Sequence, residues 1–197
     1  MSKDLKYDAF ISYRHNDLDK FVATNLHRLL ETYKLPKSII KSNNLEKTKI
    51  ERVFRDQEEL PLASSLEDPI IEALKNSEFL IVICSPRLKE SMWCKKEIET
   101  FIKLHGRSKV LAVLVEGEPA DSFPKELLYD EKTKKAVEPL AIDCRGNSKA
   151  EVLKNLKQEL LRLIAPMFNL NYDDLKRRHH ERKVKNIIRI SVASSIV

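Results

Sequence analysis

The chain has 197 residues, of which 42% are hydrophobic and 34% are charged. This length fits one domain with an appendage, and the composition is typical of a globular protein, so a largely disordered chain is excluded. The net charge of +6 arises entirely within residues 176–189, which hold seven Lys or Arg and one Glu, while the remainder carries 29 basic and 29 acidic residues.

Strands and helices alternate along the chain. Runs of apolar and β-branched residues predict strands at 7–13, 50–54, 79–84, 110–115 and 137–143. Apolar residues spaced three and four apart predict helices over 17–33, 66–74, 93–105 and 150–164. The polar segment 119–136 is predicted to be irregular. Because the strands are apolar throughout, we expect the α/β class, with a five-stranded parallel sheet and helices on both of its faces.

Several common site types are absent from the sequence. The turn after the first strand is Ser12-Tyr13-Arg14-His15-Asn16, and the whole chain has three glycines, so a glycine-rich Rossmann turn or a P-loop is not present. A phosphorelay receiver needs acidic residues at the carboxyl ends of strands one and three, and this chain has none there. Its five histidines lack ligand spacing, so no metal site is predicted. No serine lies in a nucleophile elbow.

The remaining candidate site residues lie at or near the carboxyl ends of the predicted strands. The candidate ligand-binding residues that follow those strands are Ser12, Tyr13, Arg14, Arg55, Asp56 and Ser85. Trp93 and Glu97, four apart on a helix near the same edge, share one face of that helix. Together they offer cations for phosphates, a ring for stacking, and a carboxylate for a sugar hydroxyl or an oxocarbenium centre. The alternative interpretations are packing for Trp93 and a loop salt bridge for Arg55 with Asp56.

Four blocks of sequence resemble a bacterial TIR (Toll/interleukin-1 receptor) domain over about residues 5–165. The blocks are residues 7–13 (YDAFISY), 53–56 (VFRD) with 60–61 (LP), 77–86 (SEFLIVICSP) and 91–98 (SMWCKKEI). Their order and spacing make the resemblance specific. It implies a flavodoxin-like fold, the TIR fold, for a domain that we place at residues 1–168.

The resemblance implies two possible functions. Many bacterial members cleave NAD+ to nicotinamide and ADP-ribose or a cyclic isomer; the residue matching Glu97 is then catalytic, and the aromatic residue matching Trp93 is part of the site. Other members only assemble with TIR domains as signalling adaptors. NAD+ would be the substrate, with no cofactor, in a bacterial immune or signalling module. The loop with Leu60, Pro61 and Leu62 would mediate self-assembly.

Residues 169–197 form a second predicted unit, a basic helix over 172–189 followed by an apolar end. It could be the cytoplasmic flank of a truncated membrane helix, a solvated helix, or a nucleic-acid-binding segment. The last is least favoured because no aromatic residue lies among the charges after Tyr172. Cys84, Cys94 and Cys144 have no CxxC spacing and no signal peptide precedes Tyr7, so we expect a cytoplasmic protein with reduced thiols, tethered to the membrane under the first interpretation.

Overall fold

A computed structural model describes the backbone of residues 5–55, 67–130 and 133–194. Two short 3₁₀ helices, Pro86–Glu90 and Arg107–Lys109, accompany the main elements. Those elements are β1 (Tyr7–Ser12), α1 (Asp17–Thr32), α2 (Lys37–Ser42), β2 (Val53–Arg55), α3 (Glu67–Lys75), β3 (Ser77–Cys84), α4 (Met92–His105), β4 (Val110–Leu114), α5 (Pro119–Ser122), α6 (Lys125–Leu128), β5 (Tyr129–Asp130), β6 (Lys135–Ala136), β7 (Ala141–Asp143), α7 (Lys149–Met167) and α8 (Tyr172–Ser194).

Five strands form one parallel sheet in the order β2-β1-β3-β4-β7. The flavodoxin-like α/β fold predicted from the sequence is therefore confirmed. The chain passes from β1 to β2 on one side and then to β3 on the other side of β1. This reversal places the topological switch point of the sheet between β1 and β3.

The side chains of β3 show how the sheet divides the core. Ile81 and Ile83 point to the face covered by α1 and α7, whereas Leu80 and Val82 point to the face covered by α3 and α4. All four side chains are fully buried. Burial on both faces explains why the strand is apolar at every position rather than at alternate ones.

Four regions differ from the sequence-based prediction. β2 covers only residues 53–55, because the backbone N–H groups of Glu51 and Arg52 donate to the Asp8 carboxylate at 2.6 and 3.0 Å. Pro36 ends the first helix but also precedes α2, which buries Ile39. Residues 119–130 and 133–136 contain two helical turns and a two-stranded ribbon instead of irregular chain. The edge strand β7 has three residues, 141–143.

The basic helix α8 packs onto the domain at its start. Leu175 is fully buried in the core formed with α1 and α7. The His179 ring stacks on Tyr33 with centroids 6.1 Å apart, and Arg182 Nη1 donates to the Lys34 carbonyl at 3.0 Å. No helix in the described part of the chain is both long enough and apolar enough to span a membrane.

Replacing Leu175 with alanine tests whether α8 contributes to the stability of the domain. Because the side chain is fully buried, Leu175→Ala should lower the free energy of unfolding by about 2–5 kcal/mol in urea titrations. Val184→Ala on the same helix is the control: Val184 is 40% exposed, and its truncation should change stability by no more than about 0.5 kcal/mol. Equal effects of the two substitutions would contradict the docking of α8.

Candidate active site

The switch point between β1 and β3 is where an open α/β sheet forms a crevice for ligands. β1 ends at Ser12, and Ser85 directly follows β3. These serines therefore stand at the carboxyl ends of two neighbouring parallel strands. Two carboxylates reach this edge from the helices that follow, Asp19 from α1 and Glu97 from α4.

Glu97 is paired with the serine at the end of β1. The Ser12 hydroxyl donates to Glu97 Oε2 at 2.5 Å, at the short end of the range for O–H···O hydrogen bonds. Glu97 is 5% exposed and Ser12 is 1% exposed. Ser12 lies two residues after Phe10 and so points to the same face of the sheet, the face that α4 covers. The strand alternation thus directs the hydroxyl at the helix that carries Glu97.

Caps at both ends fix the position of α4. The Ser91 hydroxyl accepts a hydrogen bond from the Cys94 backbone N–H at 3.3 Å, and the Gly106 N–H closes the helix on the Ile102 carbonyl at 3.0 Å. Gly106 has a φ of 86°, in the left-handed region that glycine adopts without strain. Ile98 packs in the core next to Glu97. The carboxylate therefore stands on a rigid element.

Asp19 is paired with the serine that follows β3. The Ser85 hydroxyl donates to Asp19 Oδ2 at 2.9 Å, and both residues are fully buried. The other oxygen, Oδ1, is also buried, as is Nδ2 of the Asn16 side chain, the neighbouring donor group of this carboxyl. Ser85 shares its side of the sheet with Ile83, which faces α1. The second pair is therefore on the opposite face from the first.

The environment of Asp19 favours its protonated form. Burial raises the pKa of the Asp19 carboxyl to about 6, and the negative charge of Glu116 acts in the same direction. The hydrogen bond from Ser85, the Asn16 side chain and the positive charge of Arg87 oppose that shift. The effect of burial is larger than the effect of these contacts, so the carboxyl titrates close to neutral pH.

Asp19 is not among the site residues predicted from the sequence, although a signal was present. Asp19 lies three and four residues before Val22 and Ala23, which belong to the buried stripe of α1 together with Leu26 and Leu30. A carboxylate on the apolar stripe of a helix is unusual, since acidic side chains are rarely buried without a partner.

Trp93 lies one turn before Glu97 on α4, as the spacing predicted, but it is exposed whereas Glu97 is buried. Its side chain is 50% exposed, and the neighbouring Met92 is 75% exposed. The Lys96 ammonium lies 5.9 Å from the Trp93 ring centroid. The structure therefore places an accessible aromatic ring beside a buried carboxylate.

The remaining predicted site residues differ in their surroundings. Tyr13 is buried, with its ring centroid 5.1 Å from that of His15, and Arg14 is partly exposed in the loop between β1 and α1. Arg55, at the end of β2, is buried and donates through Nη1 to the Thr24 hydroxyl at 2.9 Å. Its guanidinium thus engages α1. The other predicted residues, Asp56, Leu60, Pro61 and Leu62, lie outside the described residues.

This geometry is suited to stabilising positive charge. An ionised carboxylate in a site that excludes water interacts strongly with a cationic centre, because few solvent dipoles screen it. Ser12 holds one oxygen of Glu97 and so restricts the orientation of the carboxylate. From the predicted set the structure pairs Ser12 with Glu97, whereas Ser85 pairs with Asp19 on the opposite face of the sheet.

Comparisons with known proteins agree on a family. The profile described as "TIR domain" matches residues 9–160, well over half of the chain. A protein of an Actinoplanes species named NAD(+) hydrolase ApTIR is 33% identical over 117 residues. The aligned part is 58% of this chain but 15% of that protein, so the chain spans a small part of this relative.

Solved structures of TIR domains also align with the chain. The TIR domain of the Toll-related receptor TRR-2 from Hydra magnipapillata aligns with a TM-score of 0.48 and 15% identity, covering 81% of this chain and 95% of that one. The TIR domains of the activated Roq1 resistosome align with a TM-score of 0.42 and 18% identity, covering 83% and 82%. At these values the alignments identify no functional residue here.

The raised pKa of Asp19 predicts a pH-dependent effect on stability. Between its ordinary value of 3.8 and about 6, the folded protein keeps a proton that the unfolded chain has lost. This favours folding at low pH, and the contribution is lost as the pH rises through 6. Asp19→Asn should therefore unfold with a free energy about 1–3 kcal/mol higher than wild type at pH 8, and this difference should shrink toward pH 4. Urea titrations across this range measure it; a difference independent of pH would contradict the assignment.

Proposed function

The chain belongs to the TIR domain family, and from this premise we propose that it cleaves NAD+ between nicotinamide and ribose. The products would be nicotinamide and ADP-ribose or a cyclic ADP-ribose isomer. The observation that carries the proposal is the buried Glu97 carboxylate, held by Ser12 at the switch point of the sheet. The Actinoplanes relative, by its name an NAD(+) hydrolase, supports the choice of substrate.

The chemistry of NAD+ explains why a carboxylate is the central group. Nicotinamide leaves as a neutral molecule from a positively charged ring, so its departure needs no proton from the enzyme. The barrier lies in the oxocarbenium-like ribose that remains. Water then bonds to this ribose and loses a proton to give ADP-ribose, or the adenine base of the same molecule bonds to it to give a cyclic isomer. Glu97, when ionised, would stabilise the positive charge that develops on the ribose and would hold its hydroxyls. Because the site is buried, this interaction gains strength from the low local dielectric constant.

Trp93 and Ser12 would assist in different ways. The exposed Trp93 ring, one turn from Glu97, would stack on a ring of NAD+ and so position the ribose near the carboxylate. Ser12 would keep the Glu97 carboxylate oriented through its short hydrogen bond. Arg14, partly exposed beside the crevice, would pair with a phosphate group. Since Glu97 is 5% exposed, the crevice must open before NAD+ reaches the carboxylate.

A non-catalytic interaction module is the second candidate function. Met92 and Trp93 are adjacent on α4 and both strongly exposed, and such apolar side chains are typical of protein–protein contacts. In this alternative the chain would assemble with other TIR domains as an adaptor and leave NAD+ intact. The two functions differ in one observable, the release of nicotinamide.

We also propose a cellular setting for the activity. The chain would act in the cytoplasm as a self-assembling module of a bacterial immune or signalling system, with NAD+ and other TIR domains as its partners. The basic residues 176–189 of α8 would lie near an anionic membrane surface, to which basic residues are attracted. Nucleic acid is the less favoured partner for this segment.

Replacing Glu97 tests the catalytic proposal. Glu97→Gln keeps the size of the side chain and one accepting oxygen but removes the charge, so the rate of nicotinamide release should fall at least 100-fold, about the loss seen when one transition-state-stabilising group is removed. Chromatography of NAD+ reactions at high protein concentration measures the rate. Glu97→Ala should lose activity likewise.

Glu99→Gln is the matched control, since Glu99 is exposed on the same helix. Its rate should stay within about twofold of wild type, as expected for a surface substitution. Absence of nicotinamide release by the wild-type chain would favour the adaptor function. Equal rates for the wild-type and Glu97→Gln proteins would reject Glu97 as the catalytic residue.

The loop that contains Leu60, Pro61 and Leu62, which would mediate self-assembly, gives a separate prediction. A charge placed among Leu60, Pro61 and Leu62 should oppose an apolar contact between copies, so Leu62→Glu should lower both self-association and nicotinamide release while leaving the fold intact. Light scattering, circular dichroism and the activity assay measure the three properties. Full turnover with unchanged oligomers would show that the loop makes no such contact.

A further inference from the structure

A cavity separate from the switch-point crevice lies beside the C-terminal half of α4. It has a volume of about 360 Å³ and is bounded by α4, the turn that follows it, α6 and β5. This volume is within the range of small-ligand sites. Ile102 of α4 and Tyr129 of β5 contribute apolar surface to its walls, and the Tyr129 side chain is 43% exposed. None of the residues that line this cavity belongs to the proposed active site.

Glu126 lines the cavity and carries a buried carboxylate. The residue belongs to the one-turn helix α6 and is 8% exposed. Neither Oε1 nor Oε2 has a hydrogen-bond partner among the residues that the structure describes. A buried carboxylate without donors is strongly unfavourable and rare in native proteins. Its presence at a cavity is explained if a ligand supplies both the N–H donors and a positive charge.

The cations that line the cavity do not supply these donors. Arg107 donates through Nη1 to two backbone carbonyls of α6 at 2.8 and 3.1 Å, and through Nη2 to the Tyr129 carbonyl at 2.8 Å. Its guanidinium therefore holds the backbone of α6 and β5 in place. Lys103 and Lys125 are exposed, and neither donates to the Glu126 carboxylate. The carboxylate is thus fixed at the cavity while both of its oxygens remain available to a ligand.

We propose that this cavity binds a guanidinium group carried on a short apolar stem. The two oxygens of Glu126 match the two parallel N–H donors of a guanidinium, which is more weakly hydrated than an ammonium and enters a buried site more readily. The flat face of the guanidinium would stack on the Tyr129 ring, and the stem would lie against Ile102. The described residues contain no group of three His, Cys, Asp or Glu side chains placed to hold a metal ion, so an organic cation fits better than a metal.

The guanidinium comes either from a free small molecule or from an arginine side chain of a second copy of this chain. Both sources offer the same chemistry to Glu126. Because the carboxylate oxygens are covered by neighbouring atoms, binding includes the movement of a side chain at the rim, and exposed side chains such as Lys103 change rotamer rapidly. The proposal does not depend on the cleavage of NAD+.

Calorimetric titration of the full chain with butylguanidinium chloride tests the proposal, and butylurea serves as a neutral probe of the same shape. In titrations to about 20 mM, which cover the weak affinities of small fragments, the wild-type protein should bind butylguanidinium and not butylurea. Glu126→Gln should weaken the binding at least about 10-fold, since a charge-assisted pair is lost. Glu138→Gln is the matched control, an exposed carboxylate outside the cavity, and it should stay within about twofold of wild type.

Thermal unfolding separates binding from a structural role of Glu126. Because glutamine removes a buried charge that has no partner, Glu126→Gln should unfold at a temperature no lower than wild type. Butylguanidinium should raise the midpoint of the wild-type protein, since it binds the folded state, and leave that of Glu126→Gln unchanged. Tyr129→Ala, which removes the ring but keeps the carboxylate, should weaken butylguanidinium binding about 2- to 5-fold.

Light scattering identifies the source of the guanidinium. If an arginine of a second copy fills the cavity, butylguanidinium should dissociate wild-type oligomers and Glu126→Gln should form fewer of them; association that is insensitive to both identifies a free small cation. Absence of butylguanidinium binding, or equal binding by the wild-type and Glu126→Gln proteins, would overturn the proposal. A lower unfolding temperature for Glu126→Gln would overturn it as well, by showing that a group of the chain itself pairs with the carboxylate.

Discussion

A carboxylate buried at the end of an apolar sheet needs a hydrogen-bond donor, and this constraint determines the arrangement at the edge where β1 and β3 end. Ser12 supplies the donor for Glu97 and Ser85 supplies it for Asp19. The alternation of side chains along each strand sends the two hydroxyls to opposite faces. The helices on those faces, α4 and α1, carry the matching carboxylates.

The stability of the surrounding elements allows this arrangement to persist. Strands buried on both faces define where β1 and β3 end, and the Asn16 and Ser91 side chains cap α1 and α4 within a few residues of the site. The carboxylates are thus held by secondary structure rather than by loops. The buried Asp19 carboxylate lowers the stability of the folded protein at neutral pH. Residues that destabilise the fold in this way are common at sites of binding or chemistry.

The sequence predicted the parts of the molecule that local patterns control. Apolar strands and three-four spacing located the sheet and its main helices, and with them the positions of Ser12 and Ser85 at strand ends and of Glu97 on its helix. Contacts between residues distant in sequence determined the features that local patterns did not predict. The Asp8 carboxylate accepts hydrogen bonds from backbone N–H groups that would otherwise extend β2. The Arg55 guanidinium, expected to bind phosphate, donates to Thr24 instead. Asp19 accepts a hydrogen bond from Ser85, 66 residues later in the chain.

The central claim is that Ser12 orients Glu97 for catalysis at the switch point of the sheet. The rate of nicotinamide release by Ser12→Ala tests it most directly, because this substitution leaves the carboxylate in place and removes only its donor. We expect a kcat about 5- to 100-fold below that of wild type, the range expected for a buried carboxylate deprived of one hydrogen bond, with KM for NAD+ changed far less. A Ser12→Ala protein that releases nicotinamide at the wild-type rate would contradict it.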